Sequence, residues 1–150
     1  MTTTSAPPDR VELRRGTYGK QLETLDRRFQ IRPAEAGWIG WETHGSLATC
    51  HPNMDLLRDW LTEHYRERWG HGIFPGCHVR YDGGVAEHRS KLCRVIRACA
   101  CESCAPLHEH QRRSGHGPFR FELARLDDRH QVLAHVSPRS LIILTPTGVT

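Results

Sequence analysis

Apolar and polar positions follow two periods along this chain, and their order sketches the fold. Phe29-Gln30-Ile31-Arg32 alternates with period two, and Pro33 to Gly37 reads as a turn. Trp38-Ile39-Gly40-Trp41-Glu42-Thr43 gives a second strand with two tryptophans. Gly45 then punctuates the passage into Ser46-Leu47-Ala48-Thr49-Cys50. Residues 28–50 therefore predict a three-stranded β-meander.

The period changes after Pro52. Leu56, Leu57, Trp60, Leu61, His64 and Tyr65 fall on one stripe of a helix, with Asp59, Glu63, Arg66 and Glu67 on the other side. Asn53 is a suitable N-cap, Asp55 suits the positive end of the helix dipole, and Gly70 suits its end.

Other segments are less regular. Residues 11–27 show no clean period, and residues 70–85 are glycine-rich, with one short strand expected over Cys77–Tyr81. Within 86–105, Leu92, Val95 and Ile96 form a short stripe that predicts a helix, which Pro106 must end. Residues 107–118 read as a loop. Phe119–Arg125 alternates strictly, Asp127-Asp128-Arg129 supplies a turn, and Gln131–Val136 is the return strand. After Pro138, Ser140–Thr145 is a continuous apolar run, expected as a central strand.

These elements predict an α+β fold. It has small antiparallel sheet elements (the meander and a C-terminal hairpin with a further strand), one amphipathic helix and a Cys/His-rich, metal-binding insert over 77–116. The polar, proline-containing residues 1–10 are expected as a disordered tail, and residues 11–150 as a single domain. A chain of this length buries about 68–70% of its unfolded surface, enough for a core that does not depend on a metal. Trp38, Trp41, Trp60 and Trp69 mark where that core gathers.

The candidate chemistry lies in the insert. His88, Cys93, Cys99, Cys101, Cys104, His108, His110 and His116 fall within 29 residues, and thiolate and imidazole are the ligands that zinc and other borderline metals prefer. Cys101 and Cys104 form a C-x2-C pair, the spacing that chelates one ion in a zinc knuckle. Cys99 and Cys101 cannot point to one ion from an ideal helix, where i and i+2 lie about 200° apart, but they can from a turning backbone. Two ligand sets follow. A helical segment gives Cys93, Cys101 and Cys104 with His108. A looped one gives Cys93, Cys99, Cys101 and Cys104. Cys77, His78, His88 and His110 are lesser candidates. Cys50 reads as a small buried residue, and His44, His51, His64, His71, His130 and His135 as structural or surface groups. Zinc is the first expectation. An iron–sulfur cluster is the alternative, although the spacing matches neither ferredoxin pattern.

No basic and apolar leader begins the sequence and no run of 18 apolar residues occurs. Cytoplasmic location is expected, where thiols act as ligands rather than disulfides. Arginine outnumbers lysine 19 to 2, as a GC-rich bacterial genome or its mobile element would give. The net charge is +4, of which +3 falls in 86–116, carried by Arg89, Lys91, Arg94, Arg97, Arg112 and Arg113 against three glutamates. Arg89, Arg94, Arg97, Arg112 and Arg113 are the expected nucleic-acid contacts. The P-loop, Rossmann, nucleophile-elbow and H-E-x-x-H patterns are absent.

Two function classes fit. One is a non-enzymatic zinc-stabilised accessory domain that binds nucleic acid or a protein. The other is a metal- or thiol-dependent enzyme with its site in loops 70–85 and 106–118, and Glu102 or Glu109 as base.

Overall fold

The computed structural model describes residues 6–16, 21–107 and 120–145. The fold is α+β: two antiparallel five-stranded sheets, one long helix and a Cys/His cluster.

The first sheet runs in chain order: β1 (Leu13–Arg15), β2 (Leu22–Thr24), β3 (Phe29–Ala34), β4 (Gly37–Glu42) and β5 (Ala48–His51). The predicted meander is its β3–β5 half, with Ile31 opposite Gly40 and Gly40 opposite Thr49. Its alternation sends Phe29 and Ile31 inward and leaves Arg32 outside. Residues 11–27, which show no period, add β1 and β2. Those strands are three residues each, too short to display one.

Helix α1 (Met54–Trp69) follows as the sequence predicts. Asn53 caps it by accepting from the Leu56 N–H at 2.9 Å, and Gly70, at φ +70°, closes it by donating to the Arg66 carbonyl. Leu57, Leu61, Tyr65 and Trp69 are buried one turn apart, whereas Leu56 is exposed, so the buried stripe is narrower than the sequence suggests. Gly40 lets the helix approach the sheet: a Cβ there would lie 3.3 Å from a Leu57 methyl. The Tyr65 hydroxyl donates to Asp26, which also accepts from the Thr24 hydroxyl and the Arg28 N–H. This network ties the helix to the β2–β3 turn, and burial pushes the Tyr65 phenol well above its ordinary range.

The second sheet comprises β6 (His78–Tyr81), β7 (Leu92–Ala98), β8 (Phe121–Arg125), β9 (Val132–Val136) and β10 (Leu141–Ile143). Its order is β10-β6-β7-β8-β9. Val79, Val95, Phe121, Leu123 and Leu133 enter the same core cluster as Phe29, Leu61 and Tyr65. Trp69 meets Phe121 edge-on with centroids 5.2 Å apart, and Glu12 pairs with Arg94 at 2.6 Å.

Four expectations are corrected. The stretch 86–105 is not a helix: it holds a short 3-10 turn (Ala86–His88) and β7. Cys93 and Val95 alternate inward, and then Ile96 is an extra residue against β8, a bulge that sets Val95 and Ile96 side by side in helix-like spacing. Pro106 does not end a helix; residues 105–107 are themselves helical, and the first turn, where no N–H partner is needed, is where proline fits. The run Ser140–Thr145 is not central: Leu141–Ile143 pairs only with β6, at the sheet edge. Cys50 is exposed on β5, not buried. Of the expected N-terminal tail, residues 1–5 lie outside the described residues. Arg10 is held by Asp55 at 2.9 Å and Asp59 at 2.7 Å.

Candidate metal centre

Three backbone devices bring four side chains together. Cys99 directly follows β7, and its N–H donates to the Arg120 carbonyl at 3.0 Å, which prolongs the β7–β8 ladder and buries the thiol. The chain then turns. The N–H groups of Cys104 and Ala105 both donate to the Cys101 carbonyl, at 3.0 and 2.9 Å, folding the C-x2-C pair into one turn. Cys104 is buried and Cys101 partly exposed.

The third device is a bulge in β9. Phe121 pairs with Val136 and Leu123 with Leu133, so Ala134 and His135 together oppose Glu122. Regular alternation would turn His135 inward with Leu133. The extra residue keeps Leu133 and Val136 buried and leaves His135 on the outer side. The bulge requires a left-handed backbone at His135, φ +60°. Histidine tolerates that region better than most residues, but it still costs about 1 kcal/mol.

The result is compact. Nδ1 of His135 lies 3.1 Å from Sγ of Cys104 and 3.4 Å from Sγ of Cys101. The ligand atoms of Cys99, Cys101, Cys104 and His135 all lie within 4.8 Å of one another, a group that could hold a metal ion. Tetrahedral bonds of about 2.0–2.3 Å put neighbouring ligand atoms roughly 3.5–3.8 Å apart, so little movement would fit one ion.

The thiols are unequal. Cys101 is drawn down to about 6, first by a hydrogen bond from Cys99 and next by the Cys104 N–H. Cys104 is pushed up to about 12, first by burial and next by its hydrogen bonds with Cys101 and Cys99. One thiolate thus forms readily and the other sulfurs donate to it. A cation would displace those protons and take their place.

Other predicted site residues are elsewhere. Cys93 is buried in β7, its thiol raised to about 11 by burial, and is not in the four-residue group. Cys77 is a core residue, pushed up to about 12 by burial. His78, on β6, is held low by burial. His88 is buried, with Nδ1 3.4 Å from the Arg125 guanidinium. Arg94 pairs with Glu12 and Arg97 with Glu122, and Arg89 donates to the Gly83 carbonyl. Glu102 is exposed. His108, Glu109, His110, Arg112, Arg113 and His116 lie outside the described residues.

His135 is the residue that sequence reasoning misses. Its only sequence signal is that Leu133 and Val136 stand three apart, where an unbroken strand would keep apolar positions an even number apart.

Comparison with protein-family models, curated proteins and solved structures returns no match to this chain. Among the described residues, no helix is long and apolar enough to cross a membrane.

Proposed function

We propose that Cys99, Cys101, Cys104 and His135 hold one structural zinc ion, and that the protein is a non-enzymatic cytoplasmic domain whose zinc-clipped insert binds nucleic acid. The observation that carries this reading is the closed donor set. Four protein atoms gather within 4.8 Å, with two of the thiols buried. Three thiolates and one imidazole fill a tetrahedral zinc and leave no position for water, as structural sites do. That favours a clip over a catalytic centre. The tight spacing also favours one ion over an iron–sulfur cluster, which spreads its protein ligands around several irons.

The clip fastens the start of the β7–β8 insert to β9. Arg112 and Arg113 belong to that insert, and Arg89 lies before β7. Arg94 and Arg97 are neutralised by the carboxylates of Glu12 and Glu122, whereas Arg89 meets only a neutral carbonyl, so phosphate contact falls chiefly to those three. Elemental analysis of protein purified without oxygen tests the first part: about one zinc per chain is expected, falling to near zero in Cys104→Ser. Fluorescence anisotropy with duplex and single-stranded oligonucleotides tests the second. Binding should weaken steeply as salt rises and be lost with the metal. Binding that survives chelation would count against the clip, and none at low salt would turn the reading to a protein partner.

A further inference from the structure

The three cysteines of the metal centre differ in their access to solvent. Cys99 is 1% exposed and Cys104 is 2% exposed, whereas Cys101 is partly open. A metal holds its sulfur ligands as thiolates, and the thiolate is the nucleophilic form of cysteine. Cys101 is therefore the sulfur of this group that a dissolved electrophile meets first.

Cys104 stands ready for a second step. Its N–H donates to the Cys101 carbonyl at 3.0 Å, which closes a four-residue turn and brings the two Cα atoms within about 7 Å. The two sulfurs lie within 4.8 Å of each other. Both approach Nδ1 of His135, at 3.4 and 3.1 Å, so both side chains leave the turn on the same side. A disulfide asks for neighbouring Cα atoms and convergent side chains, and this pair offers both. Cys99 is a poorer partner for Cys101: its N–H is tied to the Arg120 carbonyl, and only Ala100 separates the two.

The remaining cysteines are placed differently. Cys77 and Cys93 are buried in the core, where burial keeps them protonated. Cys50 is exposed, but on the other sheet.

We propose that Cys101 and Cys104 form an oxidant-sensitive pair: a hydroperoxide closes a disulfide between them, which removes two of the four donors and opens the clip between the 99–107 turn and β9. Opening of the clip rests on the zinc reading above, whereas closing of the bridge rests on the turn alone.

The chemistry takes two steps. The Cys101 thiolate attacks one peroxide oxygen, the O–O bond breaks, and Cys101 becomes a sulfenic acid while the departing hydroxide takes a proton. The Cys104 thiolate then attacks the Cys101 sulfur. The S–S bond forms, the S–O bond breaks, and the second hydroxide takes a proton. Two thiolates, one hydrogen peroxide and two protons give one disulfide and two waters. The sulfurs lose two electrons and the peroxide gains them. Cys99 and His135 then hold the ion by two donors instead of four, and it dissociates.

The test uses the full chain carrying Cys50→Ser, loaded with zinc and treated with hydrogen peroxide. A chromophoric chelator follows released zinc. Digestion after Glu102, between the two cysteines, and fragment mass spectrometry without reductant locate the bridge. The expected result is a mass loss of two hydrogens, a Cys101–Cys104 bridge and about one zinc released per bridge. Dithiothreitol with added zinc should reverse all three, since it returns a disulfide but not a sulfinic acid. Zinc affinity of the bridged chain should fall by more than the roughly tenfold to hundredfold that losing one outer-shell partner costs. His135→Asn keeps the three thiols, so its metal content should drop while peroxide still closes the same bridge. A chain purified without zinc overturns the metal reading and the release of the ion with it; a Cys101–Cys104 bridge in that chain still upholds the pair. Zinc retained after the bridge forms would overturn the opening of the clip. A bridge through Cys99, oxidation without a bridge, or no reaction would overturn the pair.

Discussion

The two sheets have five strands each but are built in different ways. In the first, every strand pairs with its neighbour in sequence, and the face that meets α1 is lined with rings and branched aliphatic side chains. Burial of that surface contributes about 25 cal/mol per Å² and asks no side chain to leave its regular face. The second sheet takes its outer strand from residues 141–143 and interrupts its ladder twice, at Ile96 and at Ala134–His135. One interruption aims an imidazole at three sulfurs. A sheet that follows its own alternation is stable and chemically plain. A sheet that breaks alternation gives up pairing and backbone comfort and gains a site.

Removing the metal proposed for the Cys99, Cys101, Cys104 and His135 group should separate the two halves most sharply. Chelation, or Cys104→Ser, should strip hydrogen-exchange protection from the 99–107 turn and β9 and leave α1 and the first sheet protected. Uniform loss across both sheets would show that the contrast is false. Phe29→Ala works from the other side. It should cost about 3–5 kcal/mol, and because Phe29 shares one core with Phe121 and Leu123, both sheets should melt together in thermal unfolding followed by circular dichroism.

A subtler variant is His135→Asn. Asparagine also accepts a left-handed backbone, so the metal-free protein should change by less than about 0.5 kcal/mol while metal affinity drops severely in a competition assay with a chromophoric chelator. Next is pH. His64 has its ordinary value of 6.5 when unfolded and about 4 when folded. The unfolded chain therefore takes up the proton first as pH falls, and the native state loses stability between about 6.5 and 4, with nothing further lost from this group below that. Denaturant midpoints should show a shallower acid loss in His64→Gln than in the parent. The smallest effect belongs to Cys50→Ser. Exposed on the first sheet, Cys50 should alter neither metal content nor stability beyond about 0.5 kcal/mol.

Legibility in the sequence follows the same division. The helix is readable from Asn53 to Gly70, and β3 to β5 from their alternation, because local rules act there without interference. The sulfur part of the site is also visible, since Cys99, Cys101 and Cys104 are close in sequence. His135 is not. It reaches them through a bulge 31 residues beyond Cys104, and a bulge leaves no mark except one displaced apolar position. The bulge at Ile96 hides β7 in the same way, by imitating helical spacing. Cys93 adds to the disguise: it alternates with Val95 as a small buried apolar residue, yet its type invites a reading as a ligand.

The edge position of β10 has a consequence for the order of events during synthesis. Leu141 pairs with Tyr81 across sixty residues of chain. On the ribosome β6 is made early and must wait through β7, β8 and β9 before its outer neighbour emerges. During that interval its hydrogen-bonding edge is open to other chains. The first sheet has no such delay: each of its strands pairs with its neighbour in sequence, so its ladder can close while the remaining half is still being translated.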